Sequence, residues 1–345
     1  MRLSFQVRPR GRPALNRKKT PGILAAILAA SLAAAVLIRI FNSVNSVEIT
    51  RTFPTLGTFA TVIVRAPESD TGFLMRKADS LLTHLDTQLG RYSDTGQLHD
   101  LNTNHFILTD TELGRLILTS DSLVNATANS FDPSLGALSI LWGFPEPYDV
   151  PDSQSVELAL LAAGWSEMIR IGSDTIFTRE NTVMDFGAIA KGHAVDRTYE
   201  LLRELGASEC LVEVGGEVRC GSSTGRVWNI GIRHPREESL AGILAITGGA
   251  VATSGDYECY FIKDGVRYSH LLDSHTGYPS HQAASATVIA ENCATADAMA
   301  TAAAVAGPGG AAIFPAWTFT GMLIITADSS GHCEMHEFGD IPWAR

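Results

Sequence analysis

The stretch Met184–Asp196 constrains the fold most, because it places an acid, two glycines and a lysine in a turn that opens a helix. Asp185 ends a short extended run, and Gly187 lets another backbone approach closely. The amides of residues 188–192 are expected to point out of the first helical turn, where the helix dipole favours a phosphate. Lys191 adds a positive charge. An ordinary helix start with a solvated lysine is equally consistent with this stretch alone.

The same stretch excludes two familiar phosphate-binding motifs. A P-loop needs Gly-Lys followed by Ser or Thr, and a dinucleotide fingerprint needs Gly-x-Gly-x-x-Gly. Neither spacing occurs here, because Gly187 and Gly192 are five residues apart and Lys191 precedes Gly192. Motifs elsewhere in the chain are therefore needed to identify what this turn binds.

Residues 1–46 are predicted to form an export signal or a membrane anchor. Eight of the 26 basic residues and none of the 37 acidic residues lie there, around the apolar run from Ile23 to Ile38. A basic flank keeps the N-terminus in the cytoplasm. Small residues before Arg39 permit cleavage, but Arg39 and Ile40 follow closely and favour an uncleaved anchor. We therefore predict an inner-membrane protein with a single N-terminal anchor and a periplasmic catalytic body, residues 47–345.

The charge of that body argues against a nucleic-acid partner. All 37 acidic side chains and only 18 basic ones follow residue 46, which gives a net charge of about −19. A phosphorylated ligand must therefore be held by local amides, a lysine and a divalent cation. The five cysteines lack Cys-x-x-Cys spacing, so a zinc site is not expected, and no disulfide is expected to be essential.

The body is predicted to be one α+β unit without internal repeats. Short β-branched segments bounded by glycine turns alternate with amphipathic segments, as in the predicted strand Thr58–Arg65 and the hairpin at Asp264-Gly265. Thr109 has the spacing of a capping box with Glu112. The predicted helices are Phe73–Leu85, one through Leu113 to Val124, Ser155–Ala163, Ala190–Leu205 and Cys293–Val305.

Three groups of polar residues are candidates for chemistry. Asp297 and Thr301 are four residues apart on a small-residue helix, so they share a face and suit a hard cation such as Mg²⁺. An acid complementing the helix dipole and a threonine bonded to its own backbone remain the alternative. His270, at a strand end, is either a general base or a structural residue. The segment Thr253–Gly255 suits a phosphate, or it is an ordinary turn.

Eight ordered motifs extend these observations from about Thr52 to Ala327. In chain order they are Leu56-Gly57-Thr58; Tyr92-Ser93-Asp94 with Leu101-Asn102; Phe131-Asp132-Pro133 with Leu141-Trp142-Gly143-Phe144; Asp185 to Gly192; Val214-Gly215-Gly216; Thr253 to Tyr257; Tyr268 to Asp273 with Thr276-Gly277; and Ala296-Asp297 with Thr301. Together they closely resemble the FAD:protein FMN transferase family, also called ApbE-type flavin transferases.

The resemblance implies an α+β fold of two interleaved lobes, with mixed or antiparallel sheets flanked by helices and an active cleft between the lobes. It also implies an enzyme that binds FAD and Mg²⁺ and moves FMN onto a threonine hydroxyl of an acceptor protein, releasing AMP. The acceptor would be a subunit of an exported or membrane redox complex. An FAD pyrophosphatase that releases FMN and AMP, and a non-catalytic flavin carrier, remain alternatives.

The resemblance also assigns roles to individual residues. Mg²⁺ would be held by the Ala188 carbonyl, Asp297 and Thr301. His270, Lys191 and Asp297 would be the catalytic residues, with His270 as the base. The expected FAD contacts are Leu56, Tyr92, Ser130, Phe131, Asp132, Asp185, Lys191, Thr253, Ser254, Gly255 and His270.

The departures from the family pattern are mild. Leu56 replaces a methionine, Glu217 an aspartate, Cys259 a basic residue and Ser274 a proline. None of them removes an expected metal ligand, although Leu56 and Cys259 would change flavin packing or acceptor docking.

Overall fold

The computed structural model describes residues 46–144 and 149–345, and Val47–Arg345 forms one compact unit. The predicted anchor lies outside the described residues, apart from Ser46. Within the described ranges, no helix is both long enough and apolar enough to cross a membrane.

An eight-stranded sheet is the centre of this unit. Its strands, in spatial order, are β1 (Ser46–Thr55), β2 (Thr58–Pro67), β6 (Glu209–Val214), β7 (Glu217–Ser222), β10 (Gly248–Gly255), β13 (Ser285–Ala290), β14 (Gly321–Ala327) and β15 (Cys333–Gly339). Alternation in β2 buries Ala60, Val62 and Val64 on one face, whereas every residue of the more central β13 is buried.

Three smaller antiparallel sheets complete the strands of the described residues. They are β3 (Phe106–Leu108), β4 (Ile169–Ile171) and β5 (Thr175–Thr178); β8 (Trp228–Arg233) with β9 (Leu240–Ile246); and β11 (Tyr260–Lys263) with β12 (Val266–Ser269). Asp264 and Gly265 both have positive φ, 52° and 80°, as a type I′ turn requires. The predicted hairpin is therefore confirmed.

Helices cover the sheet and form the walls around the site. They are α1 (Glu68–Leu89), α2 (Gln97–Asn104), α3 (Glu112–Ala126), α4 (Gly136–Trp142), α5 (Ser153–Leu160), α6 (Trp165–Met168), α7 (Ala190–Glu204) and α8 (Cys293–Ala311). The α8 helix is rich in alanine, and Ala298, Ala300, Ala302 and Ala303 are fully buried in the main core. Small side chains let α8 lie close to the sheet and to α7.

Two apolar cores besides the main one shape the molecule. One, which includes Trp228, Leu244 and Leu323, lies under the β8–β9 sheet. The other includes Trp142, whose ring stacks on Tyr268 at 5.7 Å between centroids. We call this second group the Trp142 cluster. The cavity described below lies between it and the main core.

Several predicted element boundaries were wrong. The α2 helix was not predicted, and α1 is longer than the predicted Phe73–Leu85. The cap of α3 is Thr111, whose Oγ1 accepts the Gly114 N–H at 3.0 Å, and not Thr109. Helix α5 begins at Ser153 because Asp152 caps it. Helix α8 extends past Val305 across a kink at Gly307, whose φ of 65° is not helical.

Candidate active site

A cavity of about 720 Å³ lies between the main core and the Trp142 cluster. Its size is in the range of small-molecule sites. All fourteen residues that the sequence assigned to FAD, metal or catalysis line it: Leu56, Tyr92, Ser130, Phe131, Asp132, Asp185, Ala188, Lys191, Thr253, Ser254, Gly255, His270, Asp297 and Thr301. Residues that are up to 245 positions apart in the chain thus meet around one space.

The turn before α7 differs from its prediction. The helix begins at Ala190, and the Phe186 carbonyl already accepts the N–H groups of Ile189 (3.0 Å) and Ala190 (2.8 Å). The Gly192 N–H donates to Asp297 Oδ2 at 2.9 Å. The predicted array of amides from 188 to 192 aimed at a phosphate is therefore wrong, because three of those N–H groups are used within the protein.

Gly192 is required by the close approach of α7 to α8. A Cβ atom at this position would lie 2.4 Å from the Cys293 carbonyl oxygen. The absence of a side chain lets the Gly192 N–H reach Asp297. The second glycine of the stretch thus serves helix packing and the orientation of Asp297.

A buried charge cluster joins Lys191 to two carboxylates. Its Nζ lies 3.2 Å from Glu217 Oε1 and 3.8 Å from Asp297 Oδ1, and it donates to the Gly187 carbonyl at 3.1 Å. Burial opposes the charge on Lys191, but Asp297 and Glu217 outweigh this effect and raise its pKa. Burial raises the pKa of Glu217 to about 8 and also raises that of Asp297.

Glu217 was noted in the sequence only as a departure from the family pattern. Its side chain is nearly inaccessible, and Oε2 is buried without a hydrogen-bond partner. The Gly-Gly turn before β7 was the available signal, since it puts the next side chain at the sheet end. The contact with Lys191 depends on tertiary structure and could not be read from the sequence.

The donor groups near Asp297 suit Mg²⁺. Asp297 is 1% exposed, Thr301 Oγ1 lies 3.0 Å from Ser254 Oγ, and Ala188 lines the same cavity. The described residues contain no cluster of three or more His, Cys, Asp or Glu that could hold a metal by itself. A carboxylate, a hydroxyl and a carbonyl leave positions for water and phosphate, as Mg²⁺ prefers. Burial disfavours the ionised forms of Asp297 and Glu217, and a cation bound beside them would favour ionisation.

His270 follows β12 and lies in the cavity wall. Its Nδ1 contacts the Cys259 carbonyl at 3.2 Å, and because a carbonyl only accepts, Nδ1 carries the proton. Nε2 is then the nitrogen with the lone pair in the neutral ring. Burial lowers the pKa of His270 below its ordinary 6.5, so the ring is neutral near pH 7.

Asp256 and Asp273 would be the next candidates for the base after His270, but both are engaged in structural contacts. Asp256 accepts both arms of the Arg236 guanidinium, at 2.7 and 2.6 Å. Asp273 holds the next turn, where its carboxylate accepts the His275 N–H and the Thr276 hydroxyl. Of these three candidates, His270 is the one that lines the cavity.

Two assigned FAD contacts are acids that also hold the backbone. Asp132 accepts from the Ser134 N–H at 2.8 Å and the Trp165 N–H at 3.2 Å, while burial raises its pKa. Asp185 accepts the Gly187 N–H at 3.0 Å and pairs with Arg91 at 2.9 Å.

Arg91 also lines the cavity, but it lies beside the Tyr92-Ser93-Asp94 motif and not in it, so it was not predicted as a site residue. Its neighbour Tyr92 is 72% exposed at the rim, although Tyr92 is also a cavity-lining residue.

The chain is similar to known flavin transferases both in sequence and in structure. The model of the ApbE family matches residues 56–316. An FAD:protein FMN transferase of Vibrio cholerae serotype O1 is 32% identical over 267 residues, which is 74% of this chain and 80% of the relative. The crystal structure of an apbe protein of Thermotoga maritima has a TM-score of 0.75 and 31% identity, covering 84% of this chain and 96% of the other. The apo flavinyl transferase ApbE of Pseudomonas stutzeri has a TM-score of 0.75 and 28% identity, covering 85% and 95%.

Proposed function

Because the chain belongs to the ApbE family, we propose that it is an Mg²⁺-dependent FAD:protein FMN transferase. It moves FMN from FAD onto a threonine hydroxyl of an acceptor protein and releases AMP. The observation that supports this most strongly is the convergence of all fourteen assigned residues on one 720 Å³ cavity.

Different residues of the cavity wall would bind different parts of FAD and the cation. Asp297, Thr301 and the Ala188 carbonyl would hold Mg²⁺, which, when bound, offsets negative charge on the pyrophosphate of FAD. Lys191 adds a fixed positive charge beside Asp297, at 3.8 Å between Nζ and Oδ1. Leu56, Tyr92 and the segment 130–132 line the remaining space, where the flavin and adenosine parts would lie.

The chemical step needs a base, because a threonine hydroxyl is not ionised near neutral pH. His270 Nε2 accepts the hydroxyl proton while the threonine oxygen forms a bond to the FMN-side phosphorus. The bond from that phosphorus to the bridging oxygen breaks, and AMP leaves with the bonding electron pair. AMP leaves as a phosphate, so this step requires no strong acid. The Cys259 carbonyl keeps the Nδ1 proton and thereby holds Nε2 ready as the acceptor.

We also propose where the reaction takes place. The basic, apolar N-terminal segment would anchor the protein in the inner membrane, with residues 47–345 as the catalytic body in the periplasm. The acceptor would be a threonine-bearing subunit of an exported or membrane redox complex. A nucleic-acid partner is not part of this proposal, given the strongly acidic body.

Product analysis tests the proposed function. The protein is incubated with FAD, Mg²⁺ and an acceptor domain; the acceptor is then weighed by mass spectrometry and AMP is quantified. Transfer predicts an acceptor heavier by one FMN unit, with one AMP released per transfer. AMP formed with an unchanged acceptor would indicate the pyrophosphatase, and FAD bound without either product would indicate the carrier.

A further inference from the structure

The charges around the cavity are unfavourable for a ligand with two phosphates. Among the described residues, its acidic lining groups are Asp86, Asp132, Asp185, Glu217, Glu258 and Asp297, and its lysine and arginine groups are Lys191 and Arg91. Lys191 is already paired within the protein, since its Nζ lies 3.2 Å from Glu217 Oε1 and 3.8 Å from Asp297 Oδ1. Arg91 is therefore the second positively charged side chain of this lining, and it is the one that could attract a phosphate.

Arg91 is held in a defined place. It follows helix α1 directly, where the Gly90 N–H donates to the Asp86 carbonyl at 2.8 Å. Its Nη1 lies 2.9 Å from Asp185 Oδ2, while Asp185 Oδ1 accepts the Gly187 N–H. The Asp185 carboxylate thus holds the Arg91 guanidinium next to the turn before α7.

This ion pair uses only part of the guanidinium. Arginine has five N–H donors in a planar fork, and the contact to Asp185 engages one nitrogen. The side chain is 28% exposed, so it borders open cavity space rather than the core. Arg91 and His270 line the same cavity.

On the basis of the proposed function, we propose that Arg91 binds a phosphate of FAD and that Asp185 acts as its positioning residue. A guanidinium fork matches the geometry of phosphate oxygens, whereas a bare carboxylate repels them. Asp185 therefore contributes to phosphate binding by positioning Arg91, not by contacting the phosphates itself. The competing explanation is a structural ion pair that only ties the loop after α1 to the turn before α7.

Ligands with and without phosphates separate these explanations. FAD and riboflavin share the isoalloxazine ring, but riboflavin carries no phosphate. Their dissociation constants are measured by flavin fluorescence without Mg²⁺, on the full-length protein and its Arg91→Ala and Arg91→Lys variants. Arg76→Ala is the matched control, because Arg76 is exposed on α1 and does not line the cavity.

The proposal predicts that Arg91→Ala weakens FAD binding about 10- to 100-fold, as expected for a lost charge-assisted hydrogen bond. Riboflavin binding should change less than about twofold, since riboflavin has no phosphate for the guanidinium. Arg91→Lys should retain part of the FAD affinity, because it keeps the charge but loses the fork. Arg76→Ala should match the unmodified protein for both ligands.

Two outcomes would overturn the inference while leaving the proposed function intact. In one, Arg91→Ala binds FAD as well as the unmodified protein does. In the other, FAD and riboflavin weaken equally, which would assign Arg91 a structural role. If the unmodified protein binds no FAD either with or without Mg²⁺, the proposed function fails, and this inference fails with it.

Discussion

A single carbonyl, that of Cys259, decides which nitrogen of His270 can act as a base. The contact at Nδ1 leaves Nε2 as the proton acceptor, and burial keeps the ring neutral at physiological pH. The sequence identified His270 through its motif, but it could not identify the tautomer. That detail depends on a main-chain oxygen eleven residues away, across the hairpin.

We expect His270→Asn to fold and to bind FAD normally but to transfer FMN about 10²–10⁴-fold more slowly, because it lacks the general base. Since burial lowers the His270 pKa, the unmodified enzyme should stay active at pH 7 and lose rate only as pH falls through a value below 6.5. This acidic limb should disappear in the variant. Initial rates from pH 5 to 8 test this, and a full rate with the same acidic limb would contradict the assignment.

Asp297→Asn probes the carboxylate with little disturbance of the helix contact. An asparagine oxygen can still accept the Gly192 N–H, but the negative charge is lost. The transfer rate should fall about 10²–10³-fold, as for other losses of electrostatic stabilisation in an active site. Ala188→Ser is the control and should stay within about twofold, because only its carbonyl is needed. Rates titrated against Mg²⁺ test the pair, and normal turnover of Asp297→Asn at low Mg²⁺ would move the cation elsewhere.

The side-chain contacts that join one helix to another are long-range in the chain and could not be predicted from the sequence. The Asp196 carboxylate, on α7, accepts the N–H groups of Cys293 and Ala294, both at 2.8 Å, in the first turn of α8. The N-cap of α8 is its own Asn292, which accepts the Thr295 N–H. The sequence predicted both helices, but it did not indicate that a side chain of one accepts the first N–H groups of the other, because 97 residues separate Asp196 from Cys293.

A second contact between helices predicts how stability depends on pH. Glu112, at the start of α3, accepts from His193 at 2.7 Å and Arg197 at 2.9 Å, both on α7. The hydrogen bond to His193 outweighs the effect of burial and, with Arg197, lowers the pKa of Glu112 to about 2. Because the folded pKa lies below the unfolded value, this stabilisation is complete above about pH 4.5 and is lost as the pH falls towards 2.

Glu112→Gln should therefore lower the free energy of unfolding at pH 7 by about 1–3 kcal/mol, and by much less near pH 2. Urea unfolding at several pH values measures the difference. Glu68→Gln is the control, because Glu68 is exposed at the start of α1, and it should have little effect at any pH. An equal loss at pH 7 and pH 2 would assign the effect to packing rather than to charge.

At the scale of the molecule, the sequence predicted the fold class well and the connections poorly. Alternating β-branched segments and glycine turns were sufficient for α+β, which the antiparallel sheets confirm. The strand order was not predictable, since the paired residues of the neighbouring strands β2 and β6 are separated by up to 154 positions, as for Ala60 and Val214. The charge balance of the cavity was equally hidden, because Arg91, Glu217 and Lys191 come from three distant segments.

The location of the body is a prediction for the whole chain. Protease added to intact spheroplasts should digest residues 47–345, because the basic flank of the N-terminal segment keeps only the N-terminus inside. A cytoplasmic marker protein should stay intact in the same sample. Protection of the body until the membrane is dissolved would place it on the cytoplasmic side.

We propose that the 720 Å³ cavity holds FAD with its pyrophosphate between the metal ligands and the base. A crystal structure of the protein with FAD and Mg²⁺ would locate the pyrophosphate, the cation and His270 together. We expect the pyrophosphate and the cation beside Ala188, Asp297 and Thr301, with the FMN-side phosphorus facing His270 Nε2. FAD bound outside this cavity, or a pyrophosphate on the wall away from His270 and Asp297, would contradict the account.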